Sequence, residues 1–247
     1  MFATELPDIA SRLVAEAADR GVALRLLGGL AVWHRASPPA RAALGRAYPD
    51  LDLAGRRRQA KPVRQLLEAA GFAPDQMFNA VQGSERLLYH APGAGWHIDV
   101  FLDRFAMSHT LDLSDRLEVE ALTLPGAELL LTKLQVAEVN RKDLGDSAML
   151  LWDHELASAD GDGRINVERV AELCGEDWGL FTTVTDNLDR LVEQLDDLAG
   201  EGADRERIAA RAAELRARLE AAPKSRRWRM RASVGRRRRW YETPEER

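Results

Sequence analysis

The sequence predicts an α+β protein, with a mixed sheet flanked by helices and followed by a helical C-terminal region. Three observations carry this reading. Short apolar stretches that alternate every second residue, the strand period, occur at 48–53 and 96–102. Between them lie stretches whose apolar residues recur every three or four positions, the helical period. From about residue 166 onward the helical period is the only one present.

In chain order, Ile9, Leu13 and Ala17 predict an amphipathic helix over 5–20, stopped by Gly21. Residues 22–27 predict a short buried strand that runs into Gly28-Gly29, with a helix opening at Leu30. Glycine lets the backbone approach a ligand closely, and a helix N-terminus offers free N–H groups to an anion such as phosphate. The same pair also makes an ordinary tight turn. Residues 37–49 read as a connection. A helix over 61–70 turns Val63, Leu66, Leu67 and Ala70 to the core. Stretches at 76–82, 85–90 and 96–102 predict successive antiparallel strands, turned by Gly83-Ser84 and by residues 92–95. A further strand is expected at 118–124, then helices at 129–139, entered after Pro125, and at about 142–157. Residues 158–165 resemble part of an EF-hand loop. With Gly163 at the sixth position, however, the twelfth is Arg169 rather than glutamate, so a tight acidic loop between helices is expected. The expected organisation is 1–124, an α/β core; 125–222, a helical region packed on it; and 223–247, a basic C-terminal segment.

The chemistry concentrates in Tyr48-Pro49-Asp50-Leu51-Asp52-Leu53. On a strand, Asp50 and Asp52 share one face. Neighbouring carboxylates repel unless positive charge sits between them, and a divalent cation held by oxygen ligands is the simplest such charge. Asp99, among the apolar residues of 96–102, is expensive to bury alone and is better explained beside Asp50 and Asp52. Together these are read as three unpaired acids in apolar strands. Arg56, Arg57 and Arg58 are either a solvated helix entry or cations within reach of phosphates. Lys133 is flanked by Leu129, Leu130, Leu131, Leu134 and Val136, which leaves room for an inward role beside the usual surface one. The five histidines show no metal-ligand spacing, only His97 is placed near the site, in a structural role, and no Ser/His/Asp arrangement is visible.

With 45% hydrophobic residues, the 247-residue chain can bury a sizeable core. No apolar run is long enough to span a bilayer, and the N-terminus lacks a signal peptide's layout. The single cysteine, Cys174, excludes an internal disulfide and a cysteine-rich zinc site. A cytoplasmic protein with no membrane partner is expected. The net charge is −5, yet 224–239 holds nine basic residues and no acidic one, so the remainder is strongly acidic. Arginines interleaved with Trp228, Trp240 and Tyr241 suit phosphate contact and base stacking, or cation–π packing on the acidic body.

A strand leading to Gly28-Gly29, an Asp50-x-Asp52 pair and Asp99 on a later strand resemble the nucleotidyltransferase superfamily, whose fold is like that of polymerase beta. The segment Leu122-Thr123-Leu124-Pro125, then Lys133, then Arg141-Lys142-Asp143 and Asp146, is similar to the branch of abortive-infection nucleotidyltransferase toxins. The resemblance spans about residues 20–157. It implies a nucleotidyltransferase-type sheet and transfer of an NMP group from an NTP to an acceptor hydroxyl, with release of pyrophosphate. The acceptor would be an RNA end, a protein or a small molecule. It implies Mg²⁺ on Asp50 and Asp52, with Asp99 completing a second metal position and helping to deprotonate the acceptor. Gly28 and Gly29 would seat phosphate oxygens, with Arg56, Arg58, Lys142 and Asp143 also at the nucleotide, and Lys133 or an arginine would offset charge growing on pyrophosphate. A partner antitoxin is a further implication. The competing reading is a catalytically idle member that binds RNA or a partner protein through its basic segment.

Overall fold

A computed structural model describes residues 6–243 of the chain. In chain order its elements are α1 (Leu6–Asp19), β1 (Leu24–Leu27), α2 (Gly28–Arg35), α3 (Pro38–Leu44), β2 (Leu51–Gly55), α4 (Ala60–Ala69), β3 (Ala73–Pro74), α5 (Gln76–Gln82), β4 (Arg86–His90), β5 (His97–Leu102), β6 (Arg104–Ala106), β7 (Thr110–Asp112), α6 (Gly126–Leu134), α7 (Arg141–Asp153), β8 (Glu155–Ala157), β9 (Arg164–Asn166), α8 (Val167–Glu176), α9 (Trp178–Glu193), α10 (Leu195–Leu198), α11 (Arg205–Ala221) and α12 (Arg226–Val234). The class is therefore mixed α and β. No helix among the described residues is long and apolar enough to cross a membrane.

The chain divides into two compact units. The first comprises the described residues of Met1–His34 with Ala47–Phe105 and Leu111–Leu124. The second comprises Arg35–Arg46, Ala106–Thr110 and the described residues of Pro125–Arg247.

The first unit is built on a five-stranded mixed sheet in the order β1-β2-β5-β4-β3. Strands β2 and β5 run parallel in its centre, with β1 antiparallel to β2, and β4 antiparallel to both β5 and β3. The apolar alternation explains the placement. Leu51 and Leu53 on β2, and Ile98 and Val100 on β5, are fully buried, as a central strand requires. Helix α4 buries Val63, Leu66 and Leu67 along one face, as their spacing predicts, whereas Ala70, expected with them, is exposed just past its end. Helix α1 packs on β1 through a similar stripe that includes Leu13, Val14 and Ala17.

Three expectations for residues before 125 are corrected. Residues 76–82 form helix α5, not a strand. Asp75 caps it by accepting from Phe78 N–H at 2.9 Å, and Asn79 exchanges two hydrogen bonds with the Leu88 backbone, tying the helix to β4. Residues 118–124 are not a strand; they make a single bridge, Leu26 with Thr123. The connection at 37–49 contains α3, whose cap Ser37 has Pro38 and Pro39 directly after it, as a helix start favours.

The second unit is largely helical. All of α6 is buried, and it packs against α7, α8, α9 and β9. Asn187 on α9 donates to the carbonyls of Leu134 and Val136, both at 2.8 Å, and so satisfies the end of α6. The acidic loop at 158–163 joins the short paired strands β8 and β9 rather than two helices, because α7 ends at Asp153.

Candidate functional site

In the first unit, Leu27, Asp52 and Asp99 stand side by side on the adjacent strands β1, β2 and β5. The next residue after Leu27 is Gly28, with φ +70°, which ends the strand and opens α2. Only glycine fits there, for two reasons. The left-handed backbone disfavours any L side chain, and a Cβ built on Gly28 would fall inside the Asp52 carboxylate. Asp52 is half-buried, so the sheet holds a carboxylate directly against the start of a helix. Gly29 follows, buried, in the first turn.

Asp50 lies one residue before β2. Its carboxylate is 40% exposed and stands 2.9 Å from Nδ1 of His97. Asp99 is 3% exposed, and both of its oxygens are held by the guanidinium of Arg86. The register explains this pair. Leu88 on β4 lies opposite Asp99, so Arg86, two residues earlier on the same face, reaches it diagonally. Arg86 also covers the Phe101 ring at 4.6 Å and the Phe78 ring at 5.8 Å. The reading of three unpaired acids is thus corrected: none of Asp50, Asp52 and Asp99 is without a partner. Among the described residues, no three His, Cys, Asp or Glu side chains are grouped as a ready metal site. Asp50 and Asp52 are two residues apart in sequence, and the side-chain-free Gly28 lies beside Asp52.

Of the arginines after β2, Arg56 is committed within the unit. It donates to the Ser114 carbonyl at 3.0 Å and pairs with Glu118 at 2.7 Å. Arg58 is exposed.

In the second unit, Lys133 is buried on α6 and faces inward. Its Nζ lies 3.0 Å from Asp143 and 2.9 Å from Asp146, both on α7. Burial alone would lower its pKa, but Asp146 and Asp143 outweigh that and hold it above the ordinary lysine value. Arg46 grips Asp146 through two nitrogens, at 2.8 and 3.2 Å. Asn140 caps α7 by exchanging bonds with Asp143, accepting at 3.0 Å and donating at 2.8 Å. The result is a closed network of two cations, two carboxylates and a capping amide. Lys142 takes no part in it and is exposed on the first turn of α7.

Buried at the end of α7, His154 accepts from Arg35 Nε at 3.1 Å, and its Nδ1 lies 3.1 Å from the Leu150 carbonyl. Burial first, and then the charge of Arg35, push its pKa down to about 4, so the ring is neutral. Cys174 is fully buried and its thiol pKa is pushed up to about 12, which makes it unreactive.

The site residues thus fall into two sets. Gly28, Gly29, Asp50, Asp52, Asp99, Arg56 and Arg58 belong to the first unit, and Lys133, Lys142 and Asp143 to the second. Sequence reasoning missed Arg86, His97 as a partner of Asp50, and Arg46. Arg86 was open to discovery from strand pairing alone, because it falls two residues from the position opposite Asp99. Arg46 lies 100 residues from Asp146, and no local pattern points to it. No protein-family model and no curated protein matches the chain.

Proposed function

We propose that the first unit binds a nucleoside triphosphate with Mg²⁺ and transfers its NMP group to an acceptor hydroxyl, as a nucleotidyltransferase. The observation that carries this reading is the registered row Leu27–Asp52–Asp99 with Gly28 at the helix start, which sets a half-buried carboxylate against the first turn of α2. The first-turn N–H groups of α2 bind phosphate oxygens, favoured by the partial positive charge there. Asp50 and Asp52 hold the metal. Bound Mg²⁺ supplies positive charge to the triphosphate and orients it for in-line displacement. The acceptor hydroxyl gives up its proton to solvent as its oxygen bonds to the α-phosphorus, the bond to the bridging oxygen breaks, and pyrophosphate leaves with that electron pair. Asp99, with both oxygens on Arg86, orients Arg86 over the sheet rather than serving as a metal ligand, so this reading has one metal site and not two. Lys133 already carries two carboxylate partners and acts as a structural cation in the second unit.

The Arg86 clamp on Asp99 favours one alternative: a module that binds NTP without transferring it. The two are separated by incubating the full chain with each of the four α-labelled NTPs, Mg²⁺ and total cellular RNA and protein. Label transfer that is lost in Asp52→Asn supports the enzyme. Metal-dependent NTP binding without transfer supports the module. The absence of both sinks the reading.

A further inference from the structure

The nine basic residues of 224–239 had two destinations by sequence: the acidic remainder of the chain, or an outside polyanion. Among the described residues of the second unit, only Arg236 meets a carboxylate, that of Asp186 at 2.7 Å. The others that are engaged turn to rings and carbonyls. Lys224 lies 4.9 Å over Phe181 and donates to the carbonyls of Leu219 and Ala222. Arg231 lies 4.7 Å over Trp178 and donates to the carbonyls of Gly235 and Arg238. Arg239 lies 4.9 Å over Tyr241. A ring face or a carbonyl attracts a cation but does not cancel its charge. Arg226, Arg227, Arg229, Arg237 and Arg238 are exposed on α12 and the turn after it. The segment therefore folds with its positive charge uncancelled and turned outward.

Within the same unit an open cavity of about 470 Å³ is bordered by Trp178, Trp240, Tyr241 and Arg227. Glu176 and Glu242 also border it, together with Asp177, whose carboxylate is committed to capping α9. This mixed lining decides what fits. Arg231 and Arg239 line the cavity as well, so carboxylates and guanidiniums offset each other and the rings are the feature left for a ligand to use. A nucleobase brings a flat face for the rings, and adenine, cytosine and guanine bring amino hydrogens for the carboxylates.

We infer that α12 and residues 235–239 form a docking face for single-stranded nucleic acid. Phosphates lie on Arg226, Arg227, Arg229, Arg237 and Arg238, and one base enters the cavity edged by Trp178, Trp240 and Tyr241. A duplex keeps its bases stacked and cannot supply one. The binding requires neither NTP nor metal, so it stands or falls apart from the transfer reading.

The test is fluorescence anisotropy of labelled strands of ~12 nucleotides, a length within the usual site sizes, titrated with the full chain in the absence of NTP and Mg²⁺. RNA and DNA homopolymers, a duplex of equal length and phosphatidylserine vesicles serve as separate arms. Single strands of A or C are expected to bind more tightly than U or T, and more tightly than the duplex. Affinity should fall steeply with salt. The double substitution Arg226→Glu/Arg227→Glu should weaken binding by at least ~10-fold and lower the salt slope by about one for each phosphate that is no longer neutralised, with melting unchanged. Tyr241→Ala should remove the base preference and leave the salt slope intact. No binding at low salt, or binding indifferent to the glutamate substitutions, would overturn the docking face. Equal binding of duplex, or of U and T, would overturn the base cavity. Tighter binding to the vesicles, abolished by the same double substitution, would make this a membrane face instead, for which the exposed Met230 and Val234 on α12 would be the apolar contacts.

Discussion

The two units each hold carboxylates away from full solvent, and they do so differently. In the second unit, Asp146 sits between Arg46 and Lys133, and Asp143 sits between Lys133 and Asn140. The network is closed, and it ties α6, α7 and the residue shortly after α3 together. In the first unit, Asp50 is 40% exposed and Asp52 is pressed against a glycine at a helix start. Asp99 is buried and held by Arg86. Closed networks fix structure, because each charge already has its partner and nothing further can bind without breaking one. On the proposed reading, the carboxylates beside the start of α2 are where a cation and a phosphate are taken up. On that reading the same residue type has a structural role in one unit and a binding role in the other.

The contrast is broken most directly at Lys133. Removing it as Lys133→Met leaves Asp143 without its cation and Asp146 with Arg46 alone. Loss of one partner from a buried ion pair costs roughly 3–5 kcal/mol, and the shift of the urea midpoint should show a loss of that size. A loss under ~1 kcal/mol, the size of a surface ion pair, would mean that the network is not structural.

Acid sharpens the comparison next, because the second unit carries the buried neutral His154. Its folded pKa of about 4 lies below the ordinary 6.5, so the unfolded chain binds more protons between these values. Its contribution is therefore complete above pH 6.5 and is lost as pH falls toward 4. The loss is on the order of 3 kcal/mol, and His154→Gln should flatten this limb of the stability profile. An unchanged profile would place the acid sensitivity elsewhere.

In the first unit the expected effects on folding are smaller. Gly28→Ala must adopt φ +70° and displace the Asp52 carboxylate, at a cost of about 2 kcal/mol. Gly71→Ala, at φ +89° with open space around it, bears only the backbone part of that cost, ~1 kcal/mol. Equal melting of the two variants would remove the argument that Gly28 is shaped by Asp52.

Much of the frame was legible in the sequence, because it rests on local periodicity. The run from β1 through Gly28-Gly29 into α2 was readable, as were the Asp52 and Asp99 strands, and the inward Lys133 was signalled by its leucine neighbours. What was not legible depends on partners distant in the chain. Residues 76–82 were read as a strand, but the Asp75 cap and the two bonds between Asn79 and Leu88 decide for a helix. Asp99 looked unpaired because Arg86 becomes its neighbour only when β4 pairs with β5 in one register. The basic segment kept both destinations open, because only the folded chain turns its arginines to rings and carbonyls rather than acids.

The smallest expected effect on folding belongs to Asp52→Asn, which removes one of two neighbouring negative charges at a half-buried position and should change stability by less than ~1 kcal/mol. It also provides the most direct test of the first unit. Isothermal titration of each NTP with Mg²⁺ should show binding to the wild-type chain that disappears with EDTA, and at least ~10-fold weaker binding to an Asp52→Asn chain that melts normally, a difference of about 1.4 kcal/mol. Binding of equal strength in the two proteins, or no Mg²⁺-dependent binding of any NTP to the wild type, would contradict the account.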